Sequence, residues 1–338
     1  MEQNVKVAFF EVEDWELEYL LEKTKSFRGA DFSFFLEELT PKTAKKAKDA
    51  EIVSVFIYSK VSKKVLDNLP SLKLVATRST GFDHVDLKEC KKQGVSVCNV
   101  PFYGENTVAE HTFGLILALS RKLCPAWQRT KLGNFSLERL RGFDLKGKTL
   151  GIIGLGHIGS HVARIAKGFE MNVLAFDVKK DVKLSKKLGF AYVSLDKLLS
   201  SSDIVSLHAP YNKNTHHLIN RRNIFKMKKG SFLINTARGA LVETHALAKA
   251  LDEGFLGGAG LDVLEAEGVI KEERQLLSKN FSKEVLKTLL KNHVLLERDN
   301  VIITPHNAFD STEAIHRILD TTLDNMKAFK KGRLQNKT

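Results

Sequence analysis

The chain has 338 residues, 43% of them hydrophobic and 8% aromatic, with 53 Lys and Arg against 40 Asp and Glu for a formal net charge of +13. That length fits about two domains with real cores to bury. The charge raises nucleic acid or an anionic membrane as partners. Basic and acidic residues are interspersed, however, and pairs such as Lys45-Lys46, Lys63-Lys64 and Lys186-Lys187 read as solvated helix faces, so neither partner is expected.

Cys90, Cys98 and Cys124 are odd in number and lack C-x-x-C spacing, which predicts free thiols in a reducing compartment and neither a disulfide frame nor a zinc site. The strand-like VKVAFF follows the start almost at once, with no signal-peptide pattern before it. The longest apolar windows, around Gly114 to Leu119 and Leu150 to Leu155, are far short of a membrane span. A cytoplasmic protein is expected.

From residue 5 to about 100, VKVAFF, FSFFL, EIVSVFIY, LKLVAT and VSVCNV read as strands, with helices near 14 to 25, 43 to 49, 62 to 68 and 86 to 93. That alternation predicts a parallel sheet with helices on both faces. Apolar residues at helical spacing then predict one long helix from Glu105 to about Thr130, with Pro125 able to kink it. Asn134 to Lys148 is polar and irregular. A second alternating region has strands at 149 to 154, 172 to 177, 203 to 207, 231 to 235, 257 to 262 and 301 to 304. The charged stretch Glu267 to Asn300 reads as helical around Lys283 to Leu290, and Thr312 to Lys330 as a final amphipathic helix.

The second region opens on LGIIGLGHIGSHVARIAKGFEMNVLAFD, a strand, a G-x-G-x-x-G turn, a helix and a strand ending in Asp177. Gly154 permits the tight turn, Gly156 lets backbone approach a pyrophosphate, and Gly159 lets helix pack on strand. The helix N-terminus attracts the phosphates, and Asp177 falls where an acid takes the adenosine ribose hydroxyls. An acid there disfavours the extra phosphate of NADP, so the predicted cofactor is NAD, although Lys179 and Lys180 follow and could bind a phosphate.

A nicotinamide enzyme acting on an oxo or hydroxy acid also needs a cation for the carboxylate and an acid/base for the oxygen. Candidates leave strand ends on the side where open α/β sheets bind ligands: Arg238 after SFLINT, Glu267 five residues beyond Asp262, and His306 after VIITP. Singly, each has a bland reading as a surface or structural residue. His216, His217, His245 and His316 are assigned to that bland class.

Taken with GLGHIG, the segments SLHAP (206 to 210), NTARGALVE (235 to 243), GAGLDVLEAEG (258 to 268) and TPHNAF (304 to 309) resemble the D-isomer-specific 2-hydroxyacid dehydrogenases along essentially the whole chain. RSTGFDHVD, PFYGENTVAEH and NFSLERLRGF look most like the lactate-type members. The resemblance implies two doubly wound parallel-sheet domains of α/β class: a discontinuous flavodoxin-like substrate domain (residues 1–102 and 305–338) and an inserted Rossmann NAD-binding domain (103–304).

It further implies Arg238 as the substrate-binding arginine, Glu267 as the acidic partner of the acid/base His306, and backbone N–H groups of Thr80 and Gly81 on the substrate carboxylate. Arg78, Tyr103 and Phe309 complete the substrate set. Cofactor contacts are implied for Gly154, Gly156, His157, Ile158, Gly159, Asp177, Ala209, Pro210, Thr215, Thr236, Ala237, Arg238 and Asp262, with no metal. Where many relatives have Glu-Pro this chain has Glu267-Gly268, so the choice of Glu267 over Glu265 rests on counting from Asp262. The implied reaction is reduction of pyruvate or a similar 2-oxo acid by NADH in a homodimer. Phenyllactate, hydroxyisocaproate and glycerate remain alternative products, and an NAD-sensing corepressor is the rival from outside enzymology.

Overall fold

The computed structural model describes residues 4–266 and 283–338. It divides into two compact units, residues 1–103 with 311–338 and residues 104–310. Among the described residues no helix is long and apolar enough to cross a membrane.

The first unit is built on five parallel strands, β1 (Val5–Phe9), β2 (Ala30–Phe34), β3 (Ile52–Val55), β4 (Leu74–Thr77) and β5 (Ser96–Cys98), in the order β2-β1-β3-β4-β5. All residues of β3 and β4 are buried, as in a sheet covered on both faces. Val53, Val55, Val75 and Val97 pack one core with Phe10, Leu66 and Leu69. Helices α1 (Asp14–Thr24), α2 (Lys63–Leu66) and α3 (Leu87–Lys92) connect the strands, while the helix expected near residue 43 is a 3-10 turn, Thr43–Ala47. Asp86 caps α3 by accepting from Glu89 N.

In the second unit, α4 (Glu105–Ser120) and α5 (Leu123–Lys131) stand where one long helix was expected. The break is at Lys122, whose φ of 54° is left-handed. Pro125 then lies in the first turn of α5, where its missing N–H has no helical partner to lose. Seven parallel strands follow: β6 (Thr149–Ile153), β7 (Asn172–Phe176), β8 (Ala191–Tyr192), β9 (Ile204–Leu207), β10 (Phe232–Asn235), β11 (Gly258–Leu261) and β12 (Val301–Ile303). Their order is β12-β11-β10-β9-β6-β7-β8, a doubly wound sheet in which the connections reverse direction at β6. The short β8 is an addition to the strands read from sequence.

Successive strand residues serve opposite cores, as a period of two requires. Ile152, Ile204 and Ile234 face α4 and α6 (His157–Gly168), with Phe113, Ile116 and Val162. Ile153, Val205 and Leu233 face the other side with Leu247 and Leu251 of α9 (Thr244–Asp252). Between β7 and β9 lie α7 (Val182–Leu188) and α8 (Leu195–Ser201); α10 (Lys283–Leu296) precedes β12. In the first unit, α11 (Thr312–Lys330) buries Ile315, Ile318, Leu319, Leu323 and Met326 and is capped by Ser311.

Candidate active site

The glycine turn expected to take a dinucleotide lies where β6 turns into α6. Gly154 has φ 90°, and a Cβ there would meet the backbone of His208 and Ala209, so only glycine fits the turn. A Cβ on Gly159 would collide with Gly154 O, which explains the close packing of helix on strand. Gly156 has open space within 4 Å, leaving room for a pyrophosphate against the backbone and the N-terminus of the twelve-residue α6.

Asp177, at the end of β7, accepts from Leu155 N through Oδ2 (2.6 Å) and from Lys179 N through Oδ1 (2.8 Å). The Lys179 backbone thus supports the carboxylate. His157 is exposed and Ile158 half-buried on the first turn of α6. Across the β6–β9 switch, Ala209 is buried and Pro210 exposed; Thr215 Oγ1 donates to Pro210 O at 2.7 Å and accepts from Asn212 N, closing that loop. Burial draws the neighbouring His208 imidazole down to about 3, so it is neutral at neutral pH, with Nε2 2.8 Å from Ser206 Oγ. The open cradle, the helix end and the anchored acid fit an NAD molecule.

Beyond β10, Thr236 is buried with Oγ1 3.0 Å from Thr112 Oγ1 of α4. Asn235 clamps the next turn, accepting from Ala237 N (3.1 Å) and donating to Arg238 O (2.9 Å). Arg238 is exposed, and its Nη1 donates to Ala237 O at 2.7 Å. Glu267 lies outside the described residues. Its rival Glu265 is committed elsewhere: Oε1 is 2.7 Å from His217 Nε2 and Oε2 accepts from Thr244 Oγ1 at 2.8 Å.

His306 follows β12 with φ 57°, a left-handed conformation that is costly for a residue with a Cβ. Its N–H donates to Thr304 O at 2.9 Å, so the chain reverses around Pro305. Asp262, 1% exposed at the end of β11, accepts from Thr304 Oγ1 (2.6 Å), Asn307 N (3.0 Å) and Ala308 N (3.0 Å). Its carboxylate, expected at the cofactor, therefore holds both sides of the His306 turn. Three charge-assisted bonds, each worth about 1.5–3 kcal/mol, exceed a backbone strain on the order of 1–3 kcal/mol. His111 of α4 joins this group, with Nε2 3.1 Å from Thr304 Oγ1 and 3.5 Å from Asp262 Oδ1. Phe309, half-buried, follows in the same turn.

In the first unit, residues 79–81 follow β4. Ser79 O accepts from Val100 N (3.1 Å), Thr80 O from Asn99 Nδ2 (2.8 Å), and Gly81 O from Ser79 Oγ (2.6 Å). Thr80 Oγ1 donates to Val100 O (2.8 Å). With its carbonyls turned inward, the loop's N–H groups at Ser79, Thr80 and Gly81 make no hydrogen bond among the described residues. Such a run of N–H groups suits a carboxylate. Tyr103 is half-buried, its carbonyl accepting from Arg317 Nε at 2.6 Å.

Arg78 is a correction. Expected at the substrate, its side chain is 0% exposed; Nη2 donates to Phe10 O (2.9 Å) and Glu11 O (2.6 Å), and Nη1 to Ser54 Oγ (3.2 Å). It braces the base of the loop. The Glu11 carboxylate accepts from the N–H groups of Phe56, Tyr58 and Ser59 at 2.7–3.1 Å. Burial raises the carboxyl of Glu16, 3.7 Å from Arg78 Nε, with the Arg78 charge working against that rise.

The doubly wound sheet, its glycine turn and its acid-tipped second strand make the second unit a dinucleotide-binding domain of the kind that takes NAD. Residues 113–308 match the family described as D-isomer specific 2-hydroxyacid dehydrogenase, NAD binding domain. The chain is 39% identical over 332 residues to a 2-hydroxyacid dehydrogenase homolog of Zymomonas mobilis (97% of this chain, 98% of that one). It is 39% identical over 330 residues to the D-lactate dehydrogenase of Escherichia coli (97% and 98%). The crystal structure of D-lactate dehydrogenase from Aquifex aeolicus complexed with NAD and lactic acid is similar at TM-score 0.84 and 40% identity (96% of each chain). The chain belongs to the D-isomer-specific 2-hydroxyacid dehydrogenase family.

Proposed function

We propose that the chain is a D-lactate dehydrogenase, interconverting pyruvate with NADH and D-lactate with NAD, with residues 1–102 and 305–338 as its substrate domain. The observation that carries the choice of substrate is the likeness, over nearly the full length of both chains, to D-lactate dehydrogenases of Escherichia coli and Aquifex aeolicus. Bound NADH would supply the hydride. In this reading the N–H groups of Thr80 and Gly81 and the Arg238 guanidinium take the substrate carboxylate, and Arg238 also polarises the oxo group. His306 gives its proton to the developing alkoxide, with Glu267 as its acidic partner. Tyr103 and Phe309 complete the substrate surface. The test is loss of NADH absorbance against pyruvate, phenylpyruvate, 4-methyl-2-oxopentanoate and hydroxypyruvate; a kcat/KM for pyruvate below the others would overturn the choice.

Asp177 gives the cofactor prediction. NADH should be preferred over NADPH by at least about tenfold, which needs about 1.4 kcal/mol of discrimination. Asp177→Ala should narrow that ratio mainly by raising KM for NADH, because it removes both the ribose acceptor and the partner of Leu155 N. Equal use of both cofactors by the unaltered protein would transfer the site to Lys179 or Lys180.

A homodimer is also proposed. No residue of α5 is buried, and Trp127 (63% exposed), Leu132 (86%), Phe135 (77%) and Leu137 (83%) extend its apolar surface. A second copy covering this surface accounts for it. Sedimentation should give a dimer at micromolar concentration, and Trp127→Glu with Leu137→Glu should shift it to monomer; a monomeric unaltered protein would refute the assignment.

A further inference from the structure

The loop that presents the Thr80 and Gly81 N–H groups is held by a relay of three asparagines, Asn99 lying far in sequence from Asn325 and Asn336. Asn99 Nδ2 donates to Thr80 O at 2.8 Å. Asn99 is itself held at both backbone groups, its N–H donating to Asn336 O (3.1 Å) and its carbonyl accepting from Asn325 Nδ2 (2.9 Å). Asn336 Nδ2 closes the ring by donating to Asn325 Oδ1 at 2.8 Å. Asn325 is 1% exposed and Asn99 9%.

Around Asn336 the chain lies antiparallel beside β5: Lys337 bridges Cys98, and Thr338 N donates to Val97 O at 3.1 Å. Asn336 has φ 51°, which asparagine tolerates better than most residues. Within the ring Asn325 uses its amide as donor and acceptor at once, a pair of tasks no aspartate can perform.

The consequence follows from peptide geometry. In a planar trans peptide the carbonyl and the next N–H point in opposite directions. Fixing Thr80 O on Asn99 therefore aims the Gly81 N–H away from Asn99, and fixing Ser79 O on Val100 N does the same for the Thr80 N–H. We propose that Asn325 and Asn336 are positioning residues for substrate affinity, setting residues 99–100 and through them the direction of the two N–H groups. The proposal rests on the reading that those groups receive the substrate carboxylate.

The test is steady-state kinetics of the full chain with pyruvate and NADH, with NADH affinity and thermal midpoint measured alongside. Asn336→Gly keeps the left-handed backbone and removes only the amide; Asn325→Asp keeps the shape and removes the donor to Asn99 O. Asn336→Gly should raise KM for pyruvate by about fivefold and Asn325→Asp by about tenfold, with kcat within about twofold. NADH affinity should not change. Inhibition by oxamate, which offers the same carboxylate, should weaken by the same factors. Asn336→Gly should add nothing to the effect of Asn99→Asp, because both act through one contact. If Asn325→Asp does not fold, Asn336→Gly decides. An unmoved KM and oxamate affinity in an active, folded variant would overturn the relay alone; no turnover of any 2-oxo acid by the unaltered chain would overturn the reading of the site and the relay with it.

Discussion

Replacing His306 by alanine is expected to lower kcat for pyruvate reduction by about 10² to 10⁴, with NADH affinity nearly unchanged. The imidazole is the proposed proton donor to the oxygen that becomes the D-lactate hydroxyl, and losing it leaves the alkoxide to be protonated by water. Alanine also removes a ring from a backbone at φ 57°, so part of any loss could come from the turn. His306→Asn separates the two causes, since asparagine tolerates that conformation and lacks an acid. Both variants should lose kcat alike while Asn keeps the thermal midpoint closer to that of the unaltered protein. A kcat within tenfold of the original in both would move the proton donor to another group, His111 being the imidazole nearest to the same turn's threonine. Glu267→Gln should reduce kcat as well. Glu265→Gln should act chiefly on stability, because its carboxylate serves His217 and Thr244.

The strand-turn-helix-strand unit expected to hold the cofactor was legible because its determinants are local. Glycines 154, 156 and 159 and Asp177 lie within one strand-turn-helix-strand unit, and their spacing follows from the geometry of that unit. The strands were legible for the same reason, since most are short apolar runs buried along their length and contiguous in sequence. Lys122 was not: its left-handed φ divides the expected long helix, yet the apolar periodicity runs on through both halves, and the nearby proline suggested a kink instead of a break. Arg78 was misread because a motif fixes where a residue sits along the chain and not which way its side chain turns; the carbonyls of Phe10 and Glu11, 68 and 67 residues away, decide that. The asparagine relay was out of reach, because Asn99 and Asn325 are 226 residues apart and an isolated asparagine in a turn or helix has an ordinary local explanation.

Asp262→Asn is expected to lower kcat by about 10- to 100-fold and to destabilise the second unit by about 1–3 kcal/mol. The carboxylate accepts from a hydroxyl and two backbone N–H groups on either side of His306, and it is 1% exposed, so no solvent stands ready to replace it. An asparagine has one acceptor oxygen, and its NH2 group would face at least one of those donors, leaving a buried N–H without a partner. The strained His306 backbone then loses the bonds that outweigh its cost and relaxes toward negative φ, carrying the imidazole out of place. Kinetics well below the thermal midpoint separate this misplacement from unfolding: kcat should fall in fully folded protein, and KM for NADH should change less than kcat. Asp262→Ala, which leaves all three donors unpaired, should be worse on both counts. If Asp262→Asn kept the original kcat while losing stability, the turn would be held by the His111–Thr304 contact and the chain's own reversal at Pro305, and Asp262 would matter to the fold alone.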